Sequence, residues 1–172
     1  MPVTRMNHAV LYVRDAERTA SFYEEVLAFR RVDMGTPVRG AVFLRAPAST
    51  NDHDLGLFSI GEAAGPSTAG RSSVGLYHLA WEVDTLDELE RIAKALSERG
   101  ALVGASDHGT TKAIYAQDPD GLEFEVSWLV PAALLTDDAL AARSRIGVLD
   151  LAREKARYGG ETRGGVGVSV PA

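Results

Sequence analysis

The chain has 172 residues, four histidines and no cysteine. Thiolate nucleophiles, thiolate metal sites and disulfides are therefore excluded, and any metal must be held by nitrogen and oxygen. His8, in MNHAV, and His78, in LYHLA, stand seventy residues apart in strand-like runs. Two neutral imidazoles and one carboxylate are the donor set of divalent iron or manganese sites, and three protein ligands leave coordination positions open. The carboxylate candidate lies in KAIYAQDPDGLEFEVSW, Lys112 to Trp128, where Glu123 and Glu125 alternate with Leu122, Phe124, Val126 and Trp128. Read alone, that alternation favours a half-buried strand turning Glu123, Glu125 and Ser127 to water. Each histidine alone reads as a surface or packed strand residue. Their joint placement favours a site, so the elements that carry them matter.

Residues 5–13 read as a strand, and Asp15 as the N-cap of a helix with Thr19, Phe22, Tyr23, Val26 and Leu27 at helical spacing. Strand-like runs follow at 30–34, 40–45 and 54–60. A second pass begins at 74–83, again strand-like; Thr85 and Glu88 form a capping box ahead of Leu89, Ile92 and Leu96, and Gly100 closes that helix. Strands are expected at 101–104, 111–117 and 122–128, with DPDG as the turn before the last. The order βαβββ thus occurs twice, at about 5–60 and 74–130, joined by a Gly-, Ala- and Ser-rich linker at 61–73. The fold class expected is α+β: one domain over 1–130, its two tandem modules forming a curved mixed sheet around a metal cleft. Related by a pseudo-twofold axis, His8 and His78 would face each other across that cleft. Glu125 joins them if its strand lies beside that of His78, and subtracting seventy from Glu125 gives Leu55. Residues 131–158 read as an appended helical segment covering the sheet or a partner subunit, with Gly147 as an interruption, and 159–172 as a flexible end.

Composition is that of a soluble globular chain, 45% hydrophobic and 24% charged. The net charge of -6 and the lack of a basic stripe argue against nucleic acid or an anionic membrane as partner, leaving small-molecule chemistry. There is no long apolar run, and the N-terminus lacks the basic and apolar regions of a leader, so a cytoplasmic location is expected.

His108, Ile114, Tyr115, Asp118, Pro119, Gly121 and Glu125 follow one another in HGTTKAIYAQDPDGLEFE. This stretch resembles the signature of extradiol ring-cleavage dioxygenases of the vicinal oxygen chelate superfamily, and the repeated βαβββ order resembles that superfamily over about 5–130. The pattern departs at Ser106, where the family usually has Gly, Asn, Thr, Ile or Val. The resemblance implies that His8, His78 and Glu125 hold iron(II), with manganese(II) as the alternative. It also implies that His53, in NDHDLGLF, acts as acid and base, and that His108 and Tyr115 hydrogen-bond substrate or dioxygen oxygens. The substrates implied are a catechol-like molecule and O2, and the assembly a homodimer or higher homo-oligomer. On the residues alone, His53 reads as a loop histidine beside Asp52 and Asp54, and Tyr115 as a packed strand aromatic.

The chemistry suits these residue types. A phenol titrates near pH ~10, and a divalent cation lowers an attached oxygen acid by several units, as zinc takes water from ~15.7 to ~7. A histidine of ordinary pKa ~6.5 is a suitable base for the second hydroxyl. Two rival readings remain. A glyoxalase-like metal-dependent isomerase or lyase usually carries a further carboxylate on the last strand of the first module. Here that place is DLGLF, with Leu55 or Leu57 and only Asp54 nearby. A metal-free small-molecule (drug) binding protein would leave the histidine pair and Glu125 without a role. Glu123 reads as solvent-facing or bonded to the turn.

Overall fold

The computed structural model describes residues 2–36, 38–70 and 72–169. It divides into two compact units. One runs to Ser67 and takes in the turn Asp118–Gly121; the other comprises Thr68–Gln117 and the chain from Leu122 onward.

In the first unit, β1 (Ala9–Val13) is followed by α1 (Ala16–Leu27), then β2 (Arg30–Arg31), β3 (Ala41–Arg45) and β4 (Leu55–Ser59). The sheet order is β1-β4-β3-β2, with β1 and β4 parallel and the other pairs antiparallel. Asp15 caps α1 by accepting from the Glu17 and Arg18 N–H groups. Strand pleating decides which side chains meet the helix. Leu11, Val13, Val42, Leu44, Leu55 and Leu57 are buried, as are Ala20, Tyr23 and Val26 of α1, whereas Val10 and Tyr12 on the other face are exposed. Each fully buried leucine stabilises this layer by roughly 1.5–3 kcal/mol. The Asp118–Gly121 turn has the predicted chemistry: Gly121 lies at φ +81° and its N–H donates to the Asp118 carbonyl. Asp120 accepts from the Arg14 guanidinium at 2.7 Å and from the Arg14 amide at 3.0 Å.

The second unit repeats the plan with β5 (His78–Glu82), α2 (Leu86–Glu98), β6 (Leu102–Asp107), β7 (Thr111–Gln117) and β8 (Glu123–Leu129), in the order β5-β8-β7-β6. Thr85 accepts from the Glu88 N–H, as the capping box requires. Helix α2 ends in a Schellman arrangement: the Ala101 N–H donates to the Leu96 carbonyl and the Gly100 N–H to that of Ser97, with Gly100 at φ +66°. Leu86, Leu89, Ile92 and Leu96 of α2 are buried, as are Phe124, Val126 and Trp128 of β8.

Several expectations change in detail. The first strand starts at Ala9, so His8 stands just before it. Strand β2 is two residues long, and β6 extends to Asp107. The expected α+β fold of two βαβββ modules is found, each module forming a four-stranded mixed sheet. The segment after Pro131 contains α3 (Asp137–Ala142) and α4 (Leu151–Tyr158), separated by a non-helical stretch that includes Gly147. The end from Gly159, expected to be flexible, is pinned over its described part. The Thr162 carbonyl accepts from the Trp128 indole, the Gly160 carbonyl from the Asp87 amide, and the Gly164 N–H donates to the Asp84 carbonyl. Glycine is needed there, because a Cβ on Gly164 would lie 2.6 Å from the Trp128 indole nitrogen. Among the described residues no helix is long and apolar enough to cross a membrane.

Helix α4 is tied to the sheet by buried charge. Lys112 lies opposite Trp128 on the helix-covered face of the β7–β8 pair, and only 1% of its side chain is exposed. Its ammonium reaches Asp107 at 2.6 Å and Glu154 of α4 at 3.0 Å, while Glu154, equally buried, accepts from Arg153 at 2.9 Å. Removing one partner of a buried ion pair strands the other charge, which costs ~3–5 kcal/mol, whereas an apolar replacement of both is often near neutral. Lys112→Met is therefore expected to lower the urea-unfolding free energy by about 3–5 kcal/mol, and Lys112→Met combined with Glu154→Leu to recover most of the loss.

Candidate functional site

The site residues of the second unit are gathered by strand register. Strand β8 pairs in parallel with β5, setting Glu123 opposite His78 and Glu125 opposite Ala80, and antiparallel with β7, setting Glu125 opposite Tyr115. Side chains directly opposite one another share a face, so His78, Tyr115, Glu123 and Glu125 project away from the face that α2 and α4 cover. His78 reaches along that face past its register partner, and its Nε2 lies 3.3 Å from Glu125 Oε2.

That separation is close to the ~3.0 Å between adjacent ligands each about 2.1 Å from one divalent ion. His78 Nδ1 is buried and has no hydrogen-bond partner among the described residues. One imidazole nitrogen and one carboxylate oxygen at this spacing fit two positions around a divalent cation. Among the described residues no three His, Asp or Glu side chains are gathered into one cage. His8, the remaining member of the expected ligand set, belongs to the first unit. There it bonds Asn7 and stacks near His53, with ring centroids 4.5 Å apart. His53 is held by Asp52 at 2.9 Å and by edge contact with the Phe43 ring.

His108 and Tyr115 come together on the second sheet. His108 Nε2 is 3.2 Å from the Tyr115 hydroxyl and 2.8 Å from the Ser106 hydroxyl, and the two hydroxyls are 3.0 Å apart. Ser106, the one departure from the signature, thus bonds both signature residues. Strand alternation signals this, since Ser106 sits opposite Ala113, two residues from Tyr115 on the same face. The Tyr115 phenol is pushed above its ordinary value by burial, and the Glu125, Tyr77 and Glu123 charges push the same way, against the hydrogen bond from Ser106.

A family model described as the glyoxalase/bleomycin resistance protein/dioxygenase superfamily matches residues 5–126. The chain belongs to this superfamily. It is 31% identical over 126 residues to the catechol-2,3-dioxygenase of Bacillus subtilis (strain 168), a span of 72% of this chain and 41% of that protein. It is 28% identical over 127 residues to metapyrocatechase 2 of Cupriavidus necator, covering 72% of this chain and 36% of that one. The chain therefore spans about two fifths of the length of these relatives. Among solved structures, a glyoxylase/bleomycin resistance protein/dioxygenase domain from Frankia sp. EAN1pec superposes with a TM-score of 0.60 at 19% identity, over 73% of this chain and 92% of that one. The superfamily's own name spans several chemistries, so the choice among them falls to the site.

Here the sheet registers correct one expectation. Val10 pairs with Gly56 in the first sheet as Ala80 pairs with Glu125 in the second, and Val10 and Ala80 are seventy residues apart. The counterpart of Glu125 is therefore Gly56, not Leu55, whose side chain is fully buried. Gly56 has no side chain to offer, and a Cβ there would already lie 3.4 Å from the Phe43 ring. Asp54, one residue before β4, spends its oxygens on the Ala46 amide, the Ser49 hydroxyl and the Asn51 side chain.

The Ser106 hydrogen bond lowers the Tyr115 pKa, so removing it raises that pKa further. In absorbance titration at the phenolate band, the difference between the full chain and its Tyr115→Phe variant should show a midpoint above ~10, with a still higher one in a Ser106→Ala background.

Proposed function

We propose that the protein is a nonheme iron(II) extradiol dioxygenase that opens a catechol-type aromatic ring with O2. The observation that carries this reading is the pairing of His78 with Glu125 in a chain whose counterpart position, Gly56, supplies no further carboxylate. The names of the two relatives, a catechol-2,3-dioxygenase and a metapyrocatechase, support the same substrate class. His78, Glu125 and His8 are the proposed ligands, with manganese(II) as an alternative ion. Bound there, the metal would acidify a catechol hydroxyl and leave positions for the substrate oxygens and O2.

The protein's own groups do the remaining work. His53, oriented by Asp52, is the proposed base for the second hydroxyl and returns that proton later. His108 and Tyr115 hydrogen-bond the reacting oxygens, and their mutual contact lets a proton pass between the ring nitrogen and the phenol. The Tyr115 phenol, pushed above its ordinary value by burial, can donate its proton in a hydrogen bond to a reacting oxygen. An isomerase of the same superfamily usually carries a further carboxylate ligand, whereas Gly56 has no side chain and Asp54 is engaged by Ala46, Ser49 and Asn51.

Anaerobic purification, iron(II) loading and oxygen-electrode assays over a catechol panel test this reading. Uptake of O2 with ring opening is expected, whereas bound iron without uptake, or turnover under argon with nickel or zinc, overturns it. His8→Ala, His78→Ala and Glu125→Ala should lose more metal affinity than the ~10–100-fold typical of an outer-shell change. Glu123→Ala should retain the metal, and His53→Phe should retain it while losing turnover.

A further inference from the structure

We propose that the Arg145–Gly147 segment, in the C-terminal extension beyond the superfamily match, is a positioning element that sets which ring nitrogen of His108 carries the proton. The functional consequence rests on the dioxygenase reading above; the structural claim does not. His108 Nδ1 lies 3.2 Å from the Arg145 backbone carbonyl. A carbonyl can only accept, so Nδ1 carries the hydrogen and donates. A neutral imidazole has one N–H, which leaves Nε2 as an acceptor facing the Ser106 and Tyr115 hydroxyls. In the other tautomer Nδ1 and the carbonyl would set lone pair against lone pair. Arg145 thus makes His108 a proton acceptor toward Tyr115 and toward a substrate beside it.

The carbonyl is held in place from both sides. Gly147 and Asp107 exchange two backbone hydrogen bonds, at 2.8 and 2.9 Å, at the end of the edge strand β6. The Arg145 amide donates to the Ala142 carbonyl at 2.9 Å, carrying the geometry from α3. Helix α3 in turn presses on the residue after His108: Gly109 lies at φ +73°, and a Cβ there would sit 2.7 Å from that of Ala142. Asp107 closes the loop by accepting from the Gly109 amide at 2.8 Å and from Lys112. Both neighbours of His108 are therefore gripped by chain that lies past residue 126, where the superfamily match ends.

With four histidines in the chain, long-range 1H–15N spectra of the 15N-histidine-labelled full-length protein read the tautomer directly, and His108→Gln assigns the signal. The expected wild-type pattern is protonated Nδ1 and unprotonated Nε2. Gly147→Pro removes the amide that donates to the Asp107 carbonyl, and should convert the signal to an averaged or Nε2-protonated pattern. Gly109→Val, which crowds α3, should do the same. Ile146→Ala, whose side chain is 82% exposed, should leave the signal unchanged. A wild-type signal with protonated Nε2 overturns the proposal without need of any variant. So does an unchanged Nδ1-protonated signal in Gly147→Pro whose Asp107 amide has lost exchange protection. In oxygen uptake, Gly147→Pro should lower kcat by at least ~10-fold with KM little changed, as expected when an acid–base group is misoriented. The expected tautomer in a protein that consumes no O2 supports the positioning and removes the dioxygenase reading. Turnover with protonated Nε2 does the reverse.

Discussion

The pairing of β8 with β7 on one side and β5 on the other is the constraint on which the candidate site depends. Because side chains alternate along a strand, one residue of slip in either ladder would carry Glu125 into the apolar layer under α2 and bring Phe124 or Val126 out. The register is held by Phe124, Val126 and Trp128, each buried against the helices. Apolar burial on one face thus places the carboxylate, the phenol and the imidazole on the other. The energy that positions the polar groups comes from residues that take no part in the chemistry.

The same logic separates the two sheets. They share strand order and pairing, yet equivalent positions carry different chemistry: a carboxylate at Glu125 and a bare backbone at Gly56. In the first sheet the space that a side chain would use is bounded by Phe43 and Val10. A duplicated frame thus carries different side chains at equivalent positions.

The C-terminal extension does more than cover apolar surface. Its ion pair with Lys112, its backbone bridge to Asp107 and its carbonyl contact with His108 all converge on residues 107–112. Burying Lys112 and Glu154 is costly unless their geometry is well satisfied, and here each has an ion-pair partner within 3.0 Å. The extension thus contacts a signature residue, His108.

Much of the frame was legible in the chain because its signals are local. The Asp15 and Thr85 caps, the Gly100 stop, the DPDG turn and the period-two alternation each act within a few residues, and each is found where the sequence places it. The signature singles out Glu125 over Glu123; in the fold His78 lies 3.3 Å from Glu125, while Glu123 is its register partner. Counting along the chain failed where spacing between elements varies: a fixed offset of seventy led to Leu55, whereas the sheet register leads to Gly56. The pinned end at 159–167 and the hold of Arg145 on His108 left no mark in the sequence. Backbone carbonyls and amides are the same at every residue, so composition and periodicity carry no trace of which of them meet. Only the tertiary fold, by bringing Gly147 against the edge of β6, decided where the Arg145 carbonyl would lie and which nitrogen of His108 it would meet.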